Sequence, residues 1–213
     1  DLSAGFGDRI HNDPADDATS AASGAASDDV DGDGVPNTSD KDIDGDGIWN
    51  KDDLDIDGDG KSEIFSVQEA VLENKKMVKP VTIRQYKQNN EGGFSFVEIA
   101  QIEDTMTRFI LAEDFDGDGQ RELIAAAKKT GLYRVNPEGG QWVVTQFDAN
   151  SSSFEHAIVA SDLDGDGQSE LYVAADNQQE LKRYDWNGTT FEKTLIGKLQ
   201  PSVFTWSVEA GQL

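Results

Sequence analysis

Carboxylate side chains recur at alternate positions in five short stretches of this chain. Each stretch reads Asp-x-Asp-Gly-Asp-Gly, and the five begin at Asp29, Asp42, Asp55, Asp114 and Asp162. When the backbone curls, alternate side chains can turn inward around one ion, and the glycine at position 6 permits the sharp bend. A hard cation such as Ca²⁺ takes about six to eight oxygen ligands. The spacing therefore predicts about five Ca²⁺ sites.

The spacing matches the first half of an EF-hand-type loop, in which later positions supply further ligands. For the first two loops the predicted ligands are Asp29, Asp31, Asp33, the carbonyl of Val35, Asn37 and Asp40, then Asp42, Asp44, Asp46, the carbonyl of Ile48, Asn50 and Asp53. The other three loops have glutamate at position 9 and no carboxylate at position 12, so we expect water to complete each set. Their predicted ligands are Asp55, Asp57, Asp59, the carbonyl of Lys61 and Glu63; Asp114, Asp116, Asp118, the carbonyl of Gln120 and Glu122; and Asp162, Asp164, Asp166, the carbonyl of Gln168 and Glu170.

Two alternatives compete with calcium binding. Asp-Gly pairs also favour ordinary turns, although five copies in the same register favour a metal site. Mg²⁺ is the other candidate ion, but it usually keeps several waters and does not sit in a dense oxygen cage. Calcium is therefore the predicted ion.

The charge of the chain excludes some partners. The formal net charge is −24, and about half of the 42 acidic residues lie at the predicted ligand positions. Nucleic acid and anionic membrane surfaces both require a basic patch. We therefore expect neither as a partner, and no apolar stretch is long enough to predict a membrane-spanning helix.

Composition divides the chain into three parts. Residues 1–28 are rich in Ala, Ser, Gly and Asp and predict a flexible leader. Residues 29–54 hold two loops in tandem with no room for a helix between them. Residues 55–213 repeat as units of about 55–113, 114–161 and 162–213, each beginning at an acidic loop.

Strand-like segments fill these units, because β-branched and aromatic residues alternate between Gly and Asn turns. The expected strands are 63–67, 81–86, 94–99, 108–112, 122–126, 131–135, 141–147, 156–160, 170–174, 181–186, 190–196 and 203–208. The insertion 73–79 is expected to be a solvated hairpin or a contact loop. Four strands per unit predict an all-β fold, a partial β-propeller of about three blades.

Two families are similar to these stretches. The segment Asp29-Val-Asp-Gly-Asp-Gly-Val-Pro-Asn37 and its neighbour at 42–50 resemble thrombospondin type 3 repeats, in a version without cysteine. The stretch Asp114-Phe-Asp-Gly-Asp-Gly-Gln-Arg-Glu-Leu123 and its counterparts at 55–64 and 162–171 resemble FG-GAP/VCBS repeats. These resemblances imply a calcium-binding spacer over 29–54 and calcium-loop propeller blades over 55–213.

We expect no enzymatic activity. The chain has no cysteine and two histidines, His11 and His156, and nothing near either resembles an activated nucleophile. Most carboxylates are assigned to metal. Trp142, Trp186 and Trp206 are expected to pack between blades, with a sugar-binding face as the alternative, and Trp49 is expected against the first blade.

These observations predict a secreted or cell-surface module with a structural or adhesive function. Loops of this kind in extracellular modules bind Ca²⁺ with a Kd of about 10⁻⁴–10⁻³ M, which cytosolic calcium would leave empty. The alternative is a non-catalytic propeller part of a secreted polysaccharide-active enzyme or a lectin. Further blades of a longer parent chain, a second copy or another protein are the expected partners, and a glycan is a further candidate.

Overall fold

The computed structural model of the chain describes residues 34–35, 62–89, 92–153, 157–202 and 204–211. Within these ranges the chain forms thirteen β-strands and no helix. The tandem loops, apart from Gly34 and Val35, lie outside the described residues, as do Trp49 and His156. The predicted all-β fold, a partial β-propeller, is confirmed.

The first sheet has three antiparallel strands in the order β1-β4-β5. Its strands are β1 (Ile64–Gln68), β4 (Val81–Gln88) and β5 (Phe94–Ile102). Between β1 and β4 the chain makes a separate hairpin of β2 (Val71–Glu73) and β3 (Lys76–Lys79). The hairpin expected in the insertion is therefore confirmed.

The second and third sheets each have four antiparallel strands joined in sequence order. The second contains β6 (Thr107–Glu113), β7 (Glu122–Ala127), β8 (Gly131–Glu138) and β9 (Gln141–Asp148). The third contains β10 (Ala157–Ser161), β11 (Glu170–Ala175), β12 (Glu180–Trp186) and β13 (Phe191–Lys198). The first strand of each of these sheets, β6 or β10, precedes the acidic loop. The sheets are therefore offset by one strand from the sequence units, which begin at the loops.

The central strand β7 packs against both neighbouring sheets. Every residue of β7 is buried. Leu123, Ala125 and Ala127 join a core with Val81 and Ile83 of the first sheet. Because side chains alternate along a strand, the other face of β7 is free to form a second core.

The second core lies between the second and third sheets. Ile124 and Ala126 of β7 pack there with Leu171 and Val173 of β11, which is also buried along its whole length. Apolar residues buried on both faces of these strands explain why the three sheets stack like consecutive propeller blades.

One expected strand and one expected core residue are wrong. Residues 204–208 form no strand in the structure, and Trp206 is 68% exposed. The segment is instead anchored by Thr205, whose backbone N–H and hydroxyl donate to the carboxylate of Asp176 at 2.8 and 2.9 Å. In contrast, Trp142 and Trp186 pack against the two cores as expected.

Candidate metal centres

Both described acidic loops connect the first two strands of a sheet. Residues 114–121 link β6 to β7, and residues 162–169 link β10 to β11. The strand pairing places Glu113 opposite Glu122 and Ser161 opposite Glu170. Glu122 and Glu170 are the first residues of β7 and β11. The antiparallel pairing therefore places each of them beside the residue that precedes its loop.

This pairing gathers four carboxylates at each loop. Within each group, one carboxylate oxygen of every residue lies within 4.8 Å of a carboxylate oxygen of each of the other three. The two groups are Asp114, Asp116, Asp118 and Glu122, and Asp162, Asp164, Asp166 and Glu170. We call these the first and second acidic clusters. Each offers hard oxygen ligands at the spacing that a divalent cation requires.

Backbone amides hold the first aspartate of each loop in place. Asp114 accepts hydrogen bonds from the N–H groups of Gly117 at 2.7 Å and Gly119 at 3.0 Å. Asp162 accepts the equivalent bonds from Gly165 at 2.7 Å and Gly167 at 3.0 Å. These bonds require a tight curl, and the position-6 glycines adopt it with φ of 86° at Gly119 and 93° at Gly167.

The glutamate of each cluster is fixed through one of its two oxygens. Phe115 donates its backbone N–H to Oε2 of Glu122 at 2.9 Å, and Leu163 donates to Oε2 of Glu170 at 3.2 Å. The hydroxyl of Tyr172 also donates to Oε2 of Glu170, at 2.7 Å. In both glutamates these donors hold Oε2 and not Oε1.

The first cluster is more buried than the second, and this burial raises the pKa values of two of its carboxyl groups. Burial, with the charges of Asp116 and Asp114 in addition, raises the pKa of Asp118 to about 6. Burial, then the charge of Asp116, raises the pKa of Glu122 to about 8 against the opposing charge of Arg134. Without a cation, crowded and desolvated carboxylates favour their protonated forms.

Comparison with known proteins supports the repeat. The FG-GAP-like repeat family matches residues 55–125 and 114–173, which together make up more than half of the chain. The chain belongs to the FG-GAP-like repeat family. No curated protein gives a significant match.

One solved structure with a similar chain is a lectin from Agrocybe aegerita that specifically recognises non-reducing terminal N-acetylglucosamine. The sequence identity is 16%, the TM-score is 0.40, and the match covers 68% of the present chain. This chain spans 41% of the length of that lectin chain.

The two described FG-GAP-like loops bring together four of the five ligands predicted for each. In each loop the fifth predicted ligand is a carbonyl, of Gln120 or Gln168; the structure shows their backbone N–H groups donating to Asp118 and Asp166, both at 2.9 Å. Metal ligation by those carbonyls stays a prediction. Val35 is 36% exposed, and Glu63 is half-buried just before β1.

The remaining predicted ligands lie outside the described residues: Asp29, Asp31, Asp33, Asn37, Asp40, Asp42, Asp44, Asp46, Ile48, Asn50, Asp53, Asp55, Asp57, Asp59 and Lys61. The thrombospondin-like spacer therefore stays a prediction. Among the described residues, no helix has the length and apolar character needed to span a bilayer.

Two arginines of the FG-GAP-like sheets contact the clusters, and the sequence pattern did not predict either contact. Arg134 of β8 donates through Nη2 to Oδ2 of Asp116 and, at 2.6 Å, to Oε1 of Glu122. Arg183 of β12 donates to Oδ2 of Asp164 at 2.5 Å. The repeat nevertheless contained a signal for these contacts: each arginine lies in the second strand after its acidic loop, Arg134 in β8 and Arg183 in β12.

Proposed function

We propose that this chain is a calcium-binding structural module of an extracellular or cell-surface protein, and that it presents an interaction surface. The observation that carries the proposal is the pair of four-carboxylate clusters, built in the same way at equivalent places in two sheets. FG-GAP repeats often bind calcium and are typical of extracellular or cell-surface proteins. Calcium binding also agrees with the acidic composition of the chain.

The ligand set favours Ca²⁺ over Mg²⁺. Each cluster offers up to four anionic groups from one short loop and one strand end. Such a set suits the large, irregular coordination shell of calcium, which water can complete, whereas Mg²⁺ demands near-octahedral geometry and keeps several waters. A bound ion would also neutralise carboxylates that otherwise repel each other.

The proposed role of the ion is structural. It would join the loop to the first residue of β7 or β11, and so fasten the hairpin that begins the sheet. We propose no catalytic role, because the clustered carboxylates would be ligands rather than acid–base groups. We also propose that residues 29–54 extend the calcium-dependent structure as a spacer.

The internal repeat suggests what partner the module takes. Phe115, at position 2 of the first loop, is buried and packs on Phe191 of the third sheet with ring centroids 5.3 Å apart. Leu163 has the same loop position in the third sheet and is 60% exposed. We propose that a further blade-like sheet, from the parent chain, a second copy or another protein, covers that side.

Thermal unfolding tests the calcium proposal. The chain is melted in chelator, in millimolar Ca²⁺ and in millimolar Mg²⁺ at matched ionic strength. A ligand that binds only the folded state adds RT ln(1 + [L]/Kd), about 2.7 kcal/mol at a hundredfold excess over Kd. A clear rise of Tm in Ca²⁺ with a smaller one in Mg²⁺ supports the proposal, and equal Tm values in all three refute it.

The interaction role needs its own assay. Calcium-dependent binding to immobilised extracellular matrix or cell-envelope material supports the adhesive function, while selective binding on a glycan array supports the lectin alternative. Binding that is unchanged in chelator would contradict a calcium-dependent surface.

A further inference from the structure

An arginine side chain of the chain itself contacts each acidic cluster. Arg134 pairs with Ile124 in the register of β8 with β7, and Arg183 pairs with Tyr172 in the register of β12 with β11. Ile124 and Tyr172 each lie two residues after the cluster glutamate. The two arginines are therefore at equivalent positions in the second and third sheets.

In the first cluster, the arginine and the loop amides bind different oxygens. Asp118 donates its N–H to Oδ1 of Asp116 at 3.3 Å, and Phe115 donates to Oε2 of Glu122 at 2.9 Å. Nη2 of Arg134 takes the other oxygen of each carboxylate, Oδ2 of Asp116 and Oε1 of Glu122. A metal ion that binds these two residues through Oδ2 of Asp116 and Oε1 of Glu122 would have to displace the guanidinium.

The second cluster repeats this division. Leu163 donates its N–H to Oε2 of Glu170. Nη2 of Arg183 binds Oδ2 of Asp164 at 2.5 Å and lies 3.4 Å from Oε1 of Glu170. Because the same atoms are paired in two independent loops, the arrangement belongs to the repeat and not to one local contact.

We propose that Arg134 and Arg183 are internal counter-cations that compete with the metal for the cluster carboxylates. They hold the metal-free clusters together and lower the affinity for calcium. This inference rests on the proposed calcium function. A guanidinium stays charged at any physiological pH and binds carboxylates through directed N–H groups, so the arginine itself remains a competing cation throughout that pH range.

Each arginine has another partner to retain when the metal enters. The guanidinium of Arg134 lies 4.4 Å from the centroid of the Trp186 ring, and that of Arg183 lies 2.5 Å from Asp185. Displacement from the cluster therefore leaves each cation with a favourable contact. For Arg134 that contact is on the neighbouring sheet, so occupancy of the first cluster is expected to change the surroundings of Trp186.

The experiment uses the full chain and terbium as a luminescent hard cation. Tb³⁺ bound at the first cluster is excited through the nearby Trp186, and Trp186→Phe identifies that part of the signal. Ca²⁺ is then titrated to displace Tb³⁺ from the wild type, Arg134→Met, Arg134→Lys and Arg108→Gln. Methionine keeps an apolar stem without the charge, and Arg108 near the start of β6 supplies a charge-loss control at an exposed site.

The inference predicts opposite effects in the presence and absence of metal. Arg134→Met should bind Ca²⁺ at least about tenfold more tightly, because a positive charge has left the site, while its Tm in chelator falls. Arg134→Lys and Arg108→Gln should stay within about threefold of the wild-type affinity. The first keeps the charge, and the second removes a charge from an exposed site at the opposite end of β6 from the acidic loop.

The outcomes separate this inference from the proposed function. If the wild type binds neither Tb³⁺ nor Ca²⁺, the calcium function fails and the inference fails with it. If the wild type binds Ca²⁺ but Arg134→Met binds equally or more weakly, only the inference is overturned. Should Arg134→Met not fold in chelator, Arg183→Met at the more exposed second cluster is compared by Ca²⁺ calorimetry, with the same expected direction.

Discussion

Phe115 and Phe191 meet edge to face across the second and third sheets, with ring centroids 5.3 Å apart. Phe115 belongs to the first acidic loop and is fully buried, so the loop that gathers the carboxylates also supplies part of the core between blades. Any ion that orders this loop therefore stabilises the packing of one blade on the next. The proposed metal binding would therefore be linked to the stacking of the blades through Phe115.

Phe115→Ala tests this link. The substitution should cost about 3–5 kcal/mol of the free energy of unfolding, because it removes a large buried aromatic group from the core. Leu163→Ala is the matched control, since Leu163 has the same loop position and is 60% exposed. Urea unfolding in millimolar Ca²⁺ measures both variants. Similar losses for the two would show that the loop does not contribute to the interface as described.

Asp118→Asn should have opposite effects with and without calcium. In chelator the variant should be more stable than the wild type, because a desolvated carboxylate beside Asp114 and Asp116 is replaced by a neutral group. The calcium-dependent rise in Tm should shrink, because the site loses a charged ligand. Glu73→Gln on the exposed β2 hairpin is the control and should change neither value. A Tm increment in calcium equal to that of the wild type would contradict the assignment.

The stability of the calcium-free chain should fall with rising pH. The pKa values of Asp118 and Glu122 in the folded chain are raised to about 6 and about 8. A carboxyl whose pKa is raised by folding stabilises the fold below its ordinary pKa and loses that contribution as the pH rises through its folded value. Melts in chelator from pH 5 to about 8.5 should show the loss, and saturating Ca²⁺ should abolish it. The same pH profile in both conditions would contradict this account.

Gly131 marks the point where β8 approaches the end of β9. Its φ is 107°, and a Cβ there would lie 1.9 Å from the carbonyl oxygen of Asp148. Gly131→Ala should therefore destabilise the fold by at least about 1–3 kcal/mol, through backbone strain together with the clash. Gly139→Ala is the control, because Gly139 also has a positive φ, but a Cβ added there would meet no atom within 4 Å. Equal losses of stability for the two would show that the close approach is absent in solution.

Much of the fold could be predicted from the sequence because the repeat encodes it. Runs such as residues 123–126 and 171–174 are apolar on both faces, which is typical of strands buried between two layers. The acidic loops were found from their spacing alone. The expected strand at 203–208 failed because alternation of aromatic residues shows only that a strand is compatible with the sequence. In the structure no paired strand covers the described part of that segment, and Thr205 bonds Asp176 instead.

The arginines were missed for a different reason. Sequence spacing identifies ligands within one loop, but Arg134 reaches the first cluster from a neighbouring strand, where it pairs with the residue two positions beyond the loop's glutamate. Cross-strand register decides this contact, and register was not assigned from the sequence. Aligning the second and third sheets strand by strand would have revealed an arginine at the same place in β8 and β12, at Arg134 and Arg183.

Calcium binding at the two acidic clusters can be measured as the number of ions that the chain binds in solution. Isothermal titration of the full chain with Ca²⁺ is compared with the double variant Asp118→Asn and Asp166→Asn, which removes one charged ligand from each described cluster while keeping the side-chain size. The double variant is expected to lose two binding equivalents, or to bind them far more weakly, while its fold persists by circular dichroism. Identical stoichiometry and affinity for the two proteins would contradict it.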